Sequence, residues 1–248
     1  MTEVLTVTAD SDEEAREAVR RRVAAIVDEG RLAVVPTDTA YGVLVNPFHP
    51  HGADRLYSAR GGDRRHPLPV FVHSPRQLPA FAEVSEEARR LMAACWPGPL
   101  TLLFEAVESM EWDLGEGEGT VGVRMPDDAF LLEILGLTGP LGCTAAVRAG
   151  EPAPTTVEEA LTGLGDAVAL YVDGGPRTAT PSTVVDVSRG GAEVRRAGAV
   201  SADRVFTVAN GLDEPSPEPS APEPSAPEPS APESSAQDPV EPSAEDDR

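Results

Sequence analysis

The segment PTDTAYG, Pro36 to Gly42, leaves an apolar run and packs two threonines, an aspartate, a tyrosine and a glycine together. Hydroxyls and backbone amides emerging at the end of a buried strand are what hold a small polar ligand in α/β proteins. The same residue types also stitch a turn to its own backbone, so the segment reads about equally as a site or a turn. Downstream, SARGGDRRHPLPV gathers Arg60, Arg64, Arg65 and His66 around two glycines. Guanidinium forks match phosphate and carboxylate oxygens, and Gly61 and Gly62 let the chain bend around an anion. Arg124 closes TVGVRMP in alternation with Val121 and Val123, which puts it on one face with Gly122 and Thr120, a pocket-wall pattern. Ser182 and Thr183 open STVVDVS, and Arg196 precedes Ala197 and Gly198.

The elements that must position these residues alternate along the chain. Ser11 and Glu14 have capping-box spacing, and Ala15, Val19, Val23, Ile26 and Val27 recur at helical spacing until Gly30. LAVVPT reads as a buried strand, followed by a turn-rich segment and a short helix over Ala53 to Arg60. PLPVFVHS predicts a strand, SEEARRLMAACW a helix, LTLLFEAV and TVGVRMP strands, and DDAFLLEILG a helix. The stretch GCTAAVRAG reads as a loop, after which Thr155 or Thr156 caps VEEALTGLG. AVALYVDGG, STVVDVS and AEVRRAGAV read as strands, and SADRVFTVAN as the last helix. Several neighbouring strands are too close in sequence for parallel crossovers, which argues for an α/β fold with a twisted, mostly mixed sheet covered by helices.

Composition divides the 248 residues into a folded unit, 1–210, and an acidic tail, 211–248. The tail repeats SAPEP and carries eleven acids against one arginine, a composition that predicts an extended, disordered chain. The net charge of −22 leaves about −12 on the folded unit, which opposes stable nucleic-acid binding by this chain alone. Every basic residue other than histidine is arginine, so no mechanism can call on a lysine. Cys95 and Cys143 have no paired metal-ligand spacing and read as small buried residues. No apolar run reaches membrane-spanning length and no basic-then-apolar leader opens the chain, so the expected location is cytoplasmic.

In order, PTDTAYG, the basic cluster before PL, WPGPLTLLF, TVGVRMP, STVVDV and RRAG resemble the YrdC-like family of L-threonylcarbamoyladenylate synthases. The resemblance runs from about Arg31 to Val205. It implies binding of ATP, L-threonine and bicarbonate, with Mg²⁺ assisting and without a covalent enzyme nucleophile. The amine of threonine joins bicarbonate, the carbamate passes to AMP, and pyrophosphate leaves. The product then serves a separate tRNA threonylcarbamoyl transferase acting at adenosine 37. By motif position, the resemblance places Thr39, Arg124 and Ser182 on threonine, and Arg60, His66, Thr120, Thr144 and Arg196 on the nucleotide.

Two stretches depart from the family pattern. Where K-x-R and then asparagine are usual, this chain has Arg60, Gly62 and His66. Where [ST]-S-A-N-x-S-G is usual, Thr144 to Gly150 read TAAVRAG, so two serines and an asparagine are replaced by Ala145, Ala149 and Val147. Each lost group would remove a charge-assisted hydrogen bond to phosphate, worth about 1.5 to 3 kcal/mol. Backbone amides, or Arg148, Arg64 and Arg65, are the available substitutes. The second reading is therefore a catalytically impaired paralogue that binds a nucleotide or an amino acid. A third reading, a double-stranded RNA binder, is opposed by the acidic charge.

Overall fold

The computed structural model describes residues 2–8, 10–107, 110–117 and 119–212, so all but the first two residues of the expected tail lie outside it. Among the described residues there are ten strands and six α-helices. The strands are β1 (Glu3–Thr6), β2 (Ala33–Pro36), β3 (Tyr41–Val45), β4 (Val70–Phe71), β5 (Leu100–Glu105), β6 (Thr120–Arg124), β7 (Leu141–Ala145), β8 (Leu170–Asp173), β9 (Thr183–Asp186) and β10 (Glu193–Arg196). The helices are α1 (Glu13–Asp28), α2 (Gly52–Arg60), α3 (Glu86–Cys95), α4 (Ala129–Thr138), α5 (Val157–Leu164) and α6 (Ala202–Ala209).

The strands form one sheet in the order β1-β8-β2-β3-β7-β4-β6-β5-β9-β10. The β1–β8, β8–β2, β4–β6 and β5–β9 pairs are parallel, and the other neighbours are antiparallel, which is the twisted mixed sheet expected. Strand alternation divides the core. Ala33 and Val35 of β2, with Leu170 and Val172 of β8, pack against Val23, Ile26 and Val27 of α1 and Leu131, Ile134 and Leu135 of α4. Val34 and Tyr171 point the other way, into a larger cluster with α2, α3, α5 and α6.

Several local expectations are corrected. Asp12, not Ser11, caps α1: its carboxylate accepts from Ala15 N at 2.8 Å, while Ser11 Oγ accepts from Thr8 N. The turn-rich stretch after LAVVPT contains β3, whose five residues are all buried between β2 and β7 and so show no polar alternation. PLPVFVHS shrinks to the two paired residues of β4, since Pro67 and Pro69 have no ladder N–H, and Ser74 caps a 3₁₀ turn over Pro75–Ala80. The front half of GCTAAVRAG is strand, within β7, rather than loop. Thr156, not Thr155, caps α5, and β1 is an edge strand the sequence pattern did not announce.

On the α1/α4 face, those two helices cover β8, β2, β3 and β7 as far as Phe71 of β4, and leave the β6-β5-β9 part open. Gly198 shapes the rim of this open part. A Cβ there would stand 2.4 Å from Pro181 O, 2.5 Å from the Ser182 carbonyl carbon and 2.5 Å from Thr183 N, all backbone atoms that cannot swing aside. Replacing Gly198 with alanine is therefore expected to cost about 1 to 3 kcal/mol and lower the thermal midpoint by several degrees. A melt indistinguishable from wild type would contradict this packing.

Candidate functional site

The open part of the sheet floors a cleft of about 960 Å³. Phe71 of β4, Thr101 and Leu103 of β5, Gly122 and Arg124 of β6 and Val184 of β9 share this face by alternation, while Val121, Val123, Leu102 and Val185 are core. All eight residues singled out from the sequence, Thr39, Arg60, His66, Thr120, Arg124, Thr144, Ser182 and Arg196, line this one cleft. Thr144 does so from the edge, because strand alternation turns its side chain away from the face of Cys143 and Ala145.

Arg124 is buried to 3% exposure, a position a charge tolerates only when paired and hydrogen-bonded. Its Nε donates to Gly98 O at 3.0 Å, Nη1 to Thr39 Oγ1 at 3.3 Å and Nη2 to Asp38 Oδ1 at 2.6 Å. The guanidinium carbon lies 5.4 Å from the centroid of Phe71, its register neighbour on β4. A guanidinium has five N–H bonds, so one on each terminal nitrogen is left for a ligand, the fork a carboxylate accepts.

PTDTAYG is both the turn and the site wall. Thr37 Oγ1 accepts from Thr39 N at 3.1 Å and Ala40 N at 3.2 Å and donates to Ala40 O at 2.7 Å, and this frame holds Asp38 and Thr39 against Arg124. Gly42 is required beneath it, since a Cβ there would come 2.7 Å from Cys143 Sγ. On the opposite wall, Arg196 donates through Nη2 to Ser182 O at 2.9 Å and Ser182 Oγ at 3.1 Å, and Ser182 Oγ is 3.0 Å from Thr101 Oγ1. A β-bulge between Val194 and Arg196 lets the consecutive Arg195 and Arg196 both line the cleft. Burial, with the charge of Arg124 adding to it, pulls the Arg196 guanidinium below its usual pKa.

Arg60 binds the substituted loop twice: its Nε donates to Val147 O at 2.9 Å, and its carbonyl accepts from Ala149 N at 2.9 Å. Burial lowers its pKa as well, and among the described residues no acid pairs with its terminal nitrogens. The other proposed sources of positive charge fare differently. Arg64 is turned away, pairing with Asp113 and, at 2.8 Å, with Asp54, and stacking over Tyr57. Arg65 lines the cleft but is paired with Asp63 at 2.5 Å. Arg148 faces a shallow neighbouring pocket with Glu158 and Glu159 instead of the cleft.

Sequence reasoning missed Thr101, Asp38 as the partner of Arg124, and Gly98 O. For Thr101 a signal existed in the alternation of LTLLFE; for the Arg124 partners, 26 to 86 residues away, none did.

A concave, arginine-lined face on a mixed α/β sheet is the geometry of a small-ligand site with affinity for anions. The Sua5/YciO/YrdC family model, described as "Telomere recombination", matches residues 25–198. A relative in Mycobacterium tuberculosis, provisionally named threonylcarbamoyl-AMP synthase, is 38% identical over 192 residues, 77% of this chain and 88% of its own. The threonylcarbamoyl-AMP synthase of Pyrococcus abyssi is 32% identical over 187 residues, covering 74% of this chain and 55% of that longer protein. The crystal structure of P. abyssi Sua5 complexed with L-threonine superposes with a TM-score of 0.77 at 29% identity, covering 84% of this chain and 61% of that one. This chain belongs to the Sua5/YrdC family, as its motifs implied. Among the described residues no helix is long and apolar enough to cross a membrane.

Cys143 lies in the cleft floor at 2% exposure, and burial pushes its thiol up to about 12, whereas Cys95 is half-buried. At pH 8 its thiolate fraction is then about 10⁻⁴, against roughly a tenth to a quarter for an ordinary cysteine. Iodoacetamide at pH 8 should leave Cys143 unlabelled in the folded protein and label it in urea. Rapid labelling in the native state would refute the buried, neutral thiol.

Proposed function

We propose that this chain is an L-threonylcarbamoyladenylate synthase, forming threonylcarbamoyl-AMP for the tRNA modification at adenosine 37. The observation that carries the reading is the Arg124 fork, held by Asp38, Thr39 and Gly98 beside the Ser182–Thr101 hydroxyls, in one cleft with Arg60 and Arg196. The fork takes the carboxylate of L-threonine, with Thr39 and Ser182 on either side. Arg60, Arg196, Thr120 and His66 take the nucleotide, and backbone groups of 144–150 replace the side chains lost there.

The N–C bond forms between the threonine nitrogen and the bicarbonate carbon, with loss of water. A carbamate oxygen then attacks the α-phosphorus of ATP, and the bond to pyrophosphate breaks. The chain's contribution is to hold three small reactants in reach and to neutralise phosphate charge, with no covalent nucleophile. Mg²⁺, if bound with the nucleotide, would supply neutralisation of phosphate charge, with Glu116, Glu151, Asp186 and Glu193 as the carboxylates the cleft offers it. Among the described residues no three His, Cys, Asp or Glu gather into a metal cage, and the cleft's acids are those four. That donor set fits a cation carried mainly by phosphate oxygens.

The impaired-paralogue reading rests on Ala145, Val147 and Ala149 in the loop and on the absence of a lysine from the basic cluster, where Arg60 stands. Against it stand Arg60, which anchors that loop and keeps its terminal nitrogens for phosphate, and the identity to relatives named for the synthase.

Pyrophosphate release from ATP that requires both L-threonine and bicarbonate is the test. R124Q is expected to lower kcat/KM for L-threonine roughly 100-fold or more, with ATP affinity changed less than about threefold. Absence of threonine-dependent release by the wild type at high enzyme concentration would sink the synthase reading, and an equal loss for both ligands in R124Q would sink the assigned role of Arg124.

A further inference from the structure

Among the arginines that line the cleft, Arg60, Arg124 and Arg196 stand in two different electrostatic states. Arg60 is held by a backbone carbonyl and Arg196 by the carbonyl and hydroxyl of Ser182, all neutral acceptors, so each presents its full charge. Arg124 alone of the three is against a carboxylate, Asp38, at 2.6 Å. Both side chains are buried, Arg124 at 4% and Asp38 at 10% exposure, so water screens the pair little. Asp38 Oδ2 is buried without a hydrogen-bond partner, which leaves no other donor to draw the carboxylate's charge away from Arg124. Behind it, Asp128 and Arg177 lie 3.6 Å apart as a second opposite-charge pair, so the group as a whole has no net charge.

A neutralised guanidinium still offers direction through its two remaining N–H bonds, but little net attraction. A zwitterionic amino acid loses little by this, because its carboxylate needs the fork and its own ammonium already balances its charge. A polyphosphate loses much, since it meets the Asp38 carboxylate directly behind the guanidinium.

We propose that Asp38 is a selectivity residue: by neutralising Arg124 it reserves that guanidinium for the carboxylate of a zwitterion and directs polyphosphate to Arg60 and Arg196. The identity of the two ligands rests on the synthase reading, whereas the electrostatic division needs only the charges described. Without the Asp38 charge, Arg124 and Arg196 would form a two-guanidinium clamp for a polyanion in the amino-acid subsite.

Calorimetric titration of inorganic pyrophosphate into wild type, D38N and D38N/R124Q decides the matter. D38N should gain a second pyrophosphate site, or bind at the amino-acid subsite at least about tenfold more tightly than wild type, and D38N/R124Q should lose that gain. A D38N titration identical to wild type overturns the proposal, whether or not threonine binds. A wild type that neither binds nor consumes L-threonine, together with the gain in D38N, sinks the synthase reading and leaves the selectivity role standing. Where D38N does not fold, the wild type carries the test through salt. Threonine affinity should change less than about twofold between roughly 50 and 300 mM salt, while ATP affinity falls several-fold. A threonine affinity as salt-sensitive as that of ATP overturns the proposal.

Discussion

Burying the Arg124 guanidinium at the floor of an open cleft is the constraint to which the rest of the site answers. A charge at 3% exposure needs compensation from several directions, and here it comes from three separate chain segments: Asp38 and Thr39 after β2, Gly98 before β5, and Phe71 on the adjacent strand β4. Each of these segments is itself fixed by backbone bonding. Thr37 closes the turn that carries Asp38 and Thr39, and Gly98 N donates to Met125 O, clasping the end of β6. The segment after β8 adds Ala179 N and Thr178 Oγ1 as donors to Thr39 O. The turn is thereby tied both to the sheet and to the chain leading into Ser182.

The cleft exists because helix coverage is unequal. Four helices cover one face, whereas α1 and α4 cover the other only from β8 to β7 and Phe71 of β4. The part left open would be a liability if it were apolar, since large exposed apolar patches invite association. Thr101, Thr120, Gly122 and Arg124 at the outward parity of β5 and β6, with Ser182 just before β9, interrupt the apolar Phe71, Leu103 and Val184 there with polar groups. An acidic chain of net charge −22 thus concentrates guanidiniums in one concavity, where a low-dielectric wall strengthens their pull on an anion.

Much of this was legible from residue order. Helical spacing located α1, α3, α4, α5 and α6, and alternation in TVGVRMP correctly set Thr120, Gly122 and Arg124 on one face. Legibility failed where a local pattern was overridden by position in the sheet. YGVLV lost its polar alternation because β3 is buried on both faces, and PLPVFVHS kept only two paired residues because its prolines cannot donate. The arginine cluster was legible as a cluster but not residue by residue. Arg64 left the site because Asp54, Asp113 and the Tyr57 ring lie on its side of the chain, and nothing local distinguishes it from Arg65 or Arg60.

The sequence by itself determined which side chains share a face, which turns form, and, through its ordered motifs, the family, since these depend on neighbours within a few residues or on matching text. Only the tertiary structure decided which charges meet. Asp38 reaches Arg124 across 86 residues, Thr101 reaches Ser182 across 81, and Arg60 seizes the carbonyl of Val147 across 87. The physical reason is that pairing, burial and hence the effective charge of each guanidinium are set by through-space adjacency. Sheet order and register create that adjacency, and no spacing along the chain encodes it.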